Sequence, residues 1–295
     1  MSERVKLRDA EINKAHSDIV FRCPKCRGSG INTKESVKID MIASEETGLL
    51  ESDDSIMELK RLRKKKHIKR HNENPNNSSY GLCSCYVQFE FVKGLIVGDL
   101  PLKFKNFDLD GILPRDVIIE GGHEKKSLID FLKTYIDKFP ELKNNSVGVN
   151  FIGKIGTGRS FISQFLGSEI LKKRYSVHYI PYFSLAKIVP SYDSIELLRE
   201  IFDVDLLIID EIGNEHPNRR GYSGEIAYAI QKRIQSNKVT FFGFNGTPTE
   251  GEIIELYGGS FFSVMHERNI NVKFTKKAIP KSSRTKYINK VLDEI

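Results

Sequence analysis

The sequence predicts an α/β protein: a parallel sheet flanked by helices from residue 124 onward, with a small cysteine-containing module ahead of it. Three observations predict this. From residue 124 short apolar runs alternate with stretches of helical periodicity, the pattern of strands joined by crossover helices. One of those runs, "VGVNFIG", leads directly into a glycine-rich turn and then a helical stretch. All 4 cysteines fall early in the chain, as two tight pairs, Cys23 with Cys26 and Cys83 with Cys85.

Residues 1–100 read as the cysteine module, interrupted by a long insertion over 33–80. The insertion is acidic first ("ASEETGLLESDD"), then basic ("KRLRKKKHIKR"), then polar ("HNENPNNSS"), and the last part has the composition of a flexible linker. Ile56, Leu59 and Leu62 have helical spacing, which predicts some helix at the start of the basic run. Residues 101–123 read as a connector, with turn signals nearby at Gly98-Asp99 and Pro101.

The α/β domain is expected over 124–295. Leu128, Phe131, Leu132, Tyr135 and Phe139 form one helical stripe. "VGVNFIG" is a strand, and Ile162, Phe165, Leu166 and Ile170 mark the helix after the glycine turn. "SVHYIPY" is strand-like. "DSIELLREIF" is helical, with Asp193 as its N-cap. "VDLLIID" is a continuous apolar run, as expected of a strand covered on both faces. A helix ("GEIAYAIQKRIQ"), a strand ("KVTFFGFN"), two short helices ("TEGEIIELYG", "SFFSVMHER") and a last strand ("INVKF") complete the alternation.

The chain has 295 residues, 39% of them hydrophobic and 29% charged, which suits a globular protein with a substantial core. No apolar run approaches the roughly 20 residues of a membrane span, and the charged N-terminus does not resemble a signal peptide. A cytoplasmic protein with reduced cysteines and no membrane partner is expected, in the cytoplasm of a bacterial host if the chain is phage-encoded. The formal charge is +7, and Lys60–Arg70 contributes eight basic residues and no acid, so the rest of the chain is close to neutral.

"GKIGTGRS", Gly153 to Ser160, follows the phosphate-loop pattern G-x-x-x-x-G-K-[ST] at Gly153, Gly158 and Ser160, with Gly156 and Thr157 between them. Such a loop works because inward-facing backbone N–H groups and a helix N-terminus meet the phosphates. The lysine position is Arg159. A glycine-rich β–α turn with no ligand is the competing reading. It loses ground to a second signal: "DLLIIDEIG" places Asp210 and Glu211 at the end of a buried strand, where open α/β sheets bind ligands. Asp210 is expected to hold Mg²⁺, and Glu211 to orient and activate water. Asn245 ends the next strand and is placed to position that water.

Taken together, the loop, "LLIIDEIG", "TFFGFNGTP" and "SFFSVMHERNINVKF" resemble the AAA+ ATPase domain of replicative-helicase loaders of the DnaC/DnaI type, phage versions included, from about Lys125 to Arg284. The IstB-like transposition ATPases are similar as well. The resemblance implies an ATP-dependent loader that delivers a hexameric replicative DNA helicase onto single-stranded DNA and assembles with other copies of itself. A non-hydrolysing AAA+ adaptor and an IstB-like transposition helper are the alternatives. There are two departures from the family pattern. Arg159 replaces lysine. The arginine finger of the Ser-Arg-Leu-x-Glu-like stretch falls on Val264, within Ser263, Val264, Met265, His266 and Glu267, which leaves Arg268 as its nearest substitute. Arg284 matches the sensor arginine that follows the last strand.

The four cysteines suit one tetrahedral Zn²⁺ site, since thiolates in tight pairs are the usual structural ligands. The family resemblance agrees, because related loaders often grip the helicase through an N-terminal zinc module. His67 or His71 could replace a cysteine, but both lie in the insertion. The basic run can neutralise several phosphates without reading sequence. It lacks interleaved aromatics for base stacking, and a solvated linker is its plainer reading.

Overall fold

The computed structural model describes residues 3–22, 83–112, 114–119, 125–188, 195–213 and 223–275. They divide into two compact units, 1–97 and 98–295. In the first, helix α1 (Glu3–His16), a short π-helical turn (Ser17–Phe21) and helix α2 (Ser84–Val97) pack together. Their shared core is Val20, Cys83, Cys85, Tyr86 and Phe89, with Ile12, Ala15 and Ile19 against it. The ring of His16 meets Phe89 edge-on at 4.9 Å.

The second unit is built on a seven-stranded sheet. Its strands are β1 (Asp116–Ile119), β2 (Lys125–Ser127), β3 (Val149–Gly153), β4 (Val177–Pro181), β5 (Leu206–Ile212), β6 (Val239–Asn245) and β7 (Ile270–Phe274). They lie in the order β2-β1-β7-β3-β6-β5-β4. The five strands from β7 to β4 run parallel. β1 runs antiparallel to β7, and β2 antiparallel to β1. The expected parallel sheet is therefore present and is extended by an antiparallel edge. Part of that edge comes from 101–123, the stretch read as a connector, which also carries short 3₁₀ turns at Leu102–Asn106 and Leu109–Gly111.

The helices of this unit are α3 (Leu128–Asn144), α4 (Arg159–Lys172), α5 (Tyr182–Ile188), α6 (Ile195–Asp203), α7 (Ser223–Gln235), α8 (Glu250–Tyr257) and α9 (Gly259–Glu267). Alternation along each strand sends side chains to both faces, and both faces are covered. On one face Tyr135 of α3 meets Phe241 at 5.5 Å, Phe151 meets Phe241 at the same distance, and Gly167 of α4 lies against Ile208. On the other, Leu207, Ile209, Phe242 and Phe244 pack among Leu185, Ile226, Ile230, Ile253, Phe261 and Met265 from α5, α7, α8 and α9. This two-sided burial is why β5 opens as an unbroken apolar run, Leu206 to Ile209, and why β6 is mostly apolar.

Local capping fixes two helices in the expected places. Ser127 Oγ accepts from the Asp130 amide at the start of α3. Thr249 and Glu252 form a reciprocal capping box on α8. α3 continues through Pro140, as its hydrophobic stripe requires, since Phe139 sits in the core on the same turn.

Candidate nucleotide site

The loop begins where β3 ends. Gly156 and Gly158 both have left-handed backbone, φ +83° and +80°, a conformation that glycine adopts without penalty. Those two reversals carry the chain from Gly153 into α4. Gly158 is the N-cap of α4 and offers no side-chain cap, so the first-turn amides of that helix, which include Ser160, have no side chain closing them. Thr157 is buried and folds the turn on itself, its amide and Oγ1 both donating to the Lys154 carbonyl, at 3.2 and 2.8 Å.

The carboxyl ends of three neighbouring strands meet here. Gly153 and Asn245 are register partners between β3 and β6, and the Gly246 amide donates to the Gly153 carbonyl at 2.9 Å. β5 lies on the other side of β6 and carries Asp210 and Glu211. Its pairing slips between Ile209 and Ile212, and Glu211 takes a left-handed φ of +62°. A non-glycine residue in that region is strained, and such strain clusters at functional sites. The slip lets Asp210 be wholly buried while Glu211 beside it is exposed. Sequence-singled Gly153, Gly156, Thr157, Gly158, Arg159, Ser160, Asp210, Glu211 and Asn245 thus occupy one corner of the sheet.

Asp210 is held from several sides. Its Oδ1 accepts from the Glu211 amide at 2.8 Å and its Oδ2 from the Tyr179 hydroxyl at 3.3 Å. Gly243 of β6 lies directly beneath: a Cβ there would sit 1.8 Å from Asp210 Oδ1. Burial, and then the Asp210 carboxylate, raise the Tyr179 phenol well above its ordinary range, so the hydroxyl remains a donor.

Arg159 turns away from the loop mouth. It is 6% exposed. Its Nη1 donates to the carbonyls of Gly153 and Phe244, and its Nε lies 3.8 Å from Asp210 Oδ1. Burial lowers the Arg159 pKa, against which Asp210, Glu211 and Tyr179 act in turn. At the position where the loop pattern has a phosphate-binding lysine, the side chain is folded under the loop.

Three residues that the motifs did not single out complete the corner. Tyr179 and Gly243 hold and admit the Asp210 carboxylate. Arg115, just before β1, donates from Nη1 to the Thr157 carbonyl and lies over the Phe274 ring at 4.7 Å. It pins the loop from outside the motif, and burial lowers its pKa. Nothing in the spacing points to Arg115. Gly243 was visible in "TFFGFN" as a glycine inside a strand, which marks close approach.

The remaining expected site residues lie elsewhere. Val264 is 5% exposed and part of the core, so the matching finger position holds no exposed cation. Arg268 is exposed beyond the end of α9 and donates to the Asn145 carbonyl at 3.2 Å. That contact is at the amino ends of β3 and β7, one strand length of roughly 17 Å from its own loop. Arg284 lies outside the described residues, as do Cys23, Cys26, His67, His71, Asp193 and the Lys60–Arg70 run. Cys83 and Cys85 are buried at the start of α2. Among the described residues no group of three or more His, Cys, Asp or Glu is arranged to hold a metal ion.

No family model matches the chain. The replicative helicase loader DnaI of Bacillus subtilis (strain 168) is 28% identical over 125 residues, which is 41% of this chain and 39% of that protein. The match therefore spans about two fifths of that relative's length. Among solved structures, the crystal structure of the DnaC helicase loader is 16% identical with a TM-score of 0.47, covering 59% of this chain and 100% of the other. The crystal structure of DnaI is 15% identical with a TM-score of 0.46, covering 61% and 93%. The chain is thus similar to loaders of the DnaC/DnaI type, as its motifs implied, and its larger unit is the expected α/β domain with a mostly parallel sheet.

Proposed function

We propose that this protein is a nucleotide-dependent loader of a replicative DNA helicase. The observation that carries the proposal is the corner formed by the loop, Asp210-Glu211 and Asn245 at three neighbouring strand ends, within a chain similar to a replicative helicase loader. ATP would meet the uncapped amides from Gly158 onward, with its phosphates on the axis of α4. The exposed Glu211 carboxylate and Asn245 are the groups placed to orient water. Arg268, exposed and remote from its own loop, suits a finger that reaches a neighbouring copy's nucleotide, so self-assembly belongs to the same reading. Single-stranded DNA is the proposed track, and the Lys60–Arg70 run is its non-specific contact.

A second reading rests on Arg159. With its charge committed beneath the loop, it is poorly placed for the developing charge of phosphoryl transfer, where a displacement of about 1 Å costs ~100-fold. An AAA+ adaptor that binds nucleotide and does not turn it over fits that geometry. One experiment separates the two: ATP binding and hydrolysis by the full chain, alone and with single-stranded DNA and the cognate helicase. The loader reading expects DNA- or helicase-stimulated turnover that Arg268→Ala abolishes while binding persists. Binding without turnover under every condition supports the adaptor. Absence of nucleotide affinity refutes the loader reading and leaves an adaptor that serves as a platform without nucleotide.

The four cysteines are proposed as a structural zinc site in the helicase-gripping module. Cys83 and Cys85, buried beside Val20 and Phe89, supply the pair that is described.

A further inference from the structure

The acidic pair raises the question of a divalent cation, and the Asp210 carboxylate does not fit one. A Mg²⁺ site needs carboxylate lone pairs open to the ion or to its water shell. Asp210 is 0% exposed. Its Oδ2 is engaged by the Tyr179 hydroxyl, and its Oδ1 by the Glu211 amide and the facing Arg159. A positive charge is thus already seated against it. Arg159 Nε is, among the described residues, the buried side-chain polar atom without a hydrogen-bond partner, and it faces this carboxylate at ion-pair distance. The same guanidinium ties the carbonyls of Gly153, which ends β3, and Phe244, one residue before the end of β6. Lysine, with a single nitrogen, could not hold both carbonyls and also face the carboxylate from a second nitrogen, as the planar guanidinium does.

We propose that Arg159 is an internal counter-ion that takes the place of a divalent cation at Asp210, so that this loop binds nucleoside triphosphate largely independently of Mg²⁺. The inference rests on the reading of the loop as a nucleotide site. Arg159 acts here as a positioning residue: it holds two strand ends and the acidic side chain at fixed separation, and the phosphates are left to the loop amides.

Two measurements test it. The first is ATP affinity of the full chain in Mg²⁺ and in EDTA. The natural protein is expected to bind within about threefold in both, and Arg159→Lys to acquire at least a tenfold preference for Mg²⁺, because the shorter, single-nitrogen cation releases Asp210. A tenfold or greater loss in EDTA by the natural protein overturns the proposal. The second needs no nucleotide: a double-mutant cycle on thermal stability with Arg159→Met, Asp210→Asn and both together. Coupling, with Asp210→Asn partly restoring the melting temperature lost in Arg159→Met, supports the counter-ion. Additive losses overturn it. If ATP binds under neither condition, the nucleotide reading fails while the cycle still decides the ion pair.

Discussion

Gly243 lacks a side chain in a strand whose other members are mostly large and apolar, and the reason lies one strand away. The Asp210 carboxylate crosses β6 at that position, leaving no room for even a methyl group. Gly243→Ala is expected to displace Asp210 from Tyr179 and Arg159. Overpacking of this kind costs about 1–3 kcal/mol, and the variant should melt several degrees lower and bind ATP more weakly. Unchanged melting and unchanged affinity would show that Asp210 is free to move. The sequence shows where Asp210, Glu211 and Asn245 fall because strand ends are visible in apolar runs. It does not show the direction of Arg159. That direction depends on two carbonyls 6 and 85 residues away in sequence, and no local pattern encodes such distances.

At the scale of elements, the joints that hold the sheet are as informative as the strands. Arg233, near the end of α7, is 2% exposed. It donates to Thr240 Oγ1 at 3.2 Å and to the carbonyls of Val204 and Val239 at 2.9 and 2.7 Å, and to that of Phe202. One side chain thus joins α6, α7 and the entries to β5 and β6. Burial pulls its pKa down to about 9, with Asp205 and Asp203 opposing, so it stays charged near neutrality. Arg233→Met would leave those acceptors without a donor, at about 3 kcal/mol or more. Chemical denaturation is expected to show that loss with nucleotide affinity little changed below the transition. β3 to β7 and the helices between them were legible because each buries a face whose period survives in sequence. α2 was not, since "CYVQFEFVKGLIV" is rich in strand-favouring residues and is nevertheless helical, packing outweighing propensity. α5 was hidden behind β4, which "SVHYIPY" extends without a break. β1 and β2, short and partly polar, carry too few residues for a period to show.

At the scale of the whole molecule, two compact units share one chain, and their chemistries are separable in sequence. The zinc reading belongs to the first. Elemental analysis of the full chain should find about one Zn²⁺ per molecule, and Cys23→Ser should release it and lower helicase binding while ATP binding in the second unit persists. A natural chain that is metal-free yet binds helicase would end that reading. Among the described residues no helix is long and apolar enough to cross a membrane.

The second unit begins with a fastening. Gly98, its first residue, accepts a backbone hydrogen bond from Tyr179 on the outer edge strand at 2.8 Å, and Asp99 beside it lies 3.7 Å from the His178 ring. An unpaired strand edge invites association with other chains, and this clip occupies part of it. It also has a mechanical meaning. Tension on the chain at Gly98 would reach β4 at the backbone of the tyrosine whose hydroxyl steadies Asp210. The clip and the acidic corner are joined by opposite ends of one residue, its backbone amide and its phenol hydroxyl.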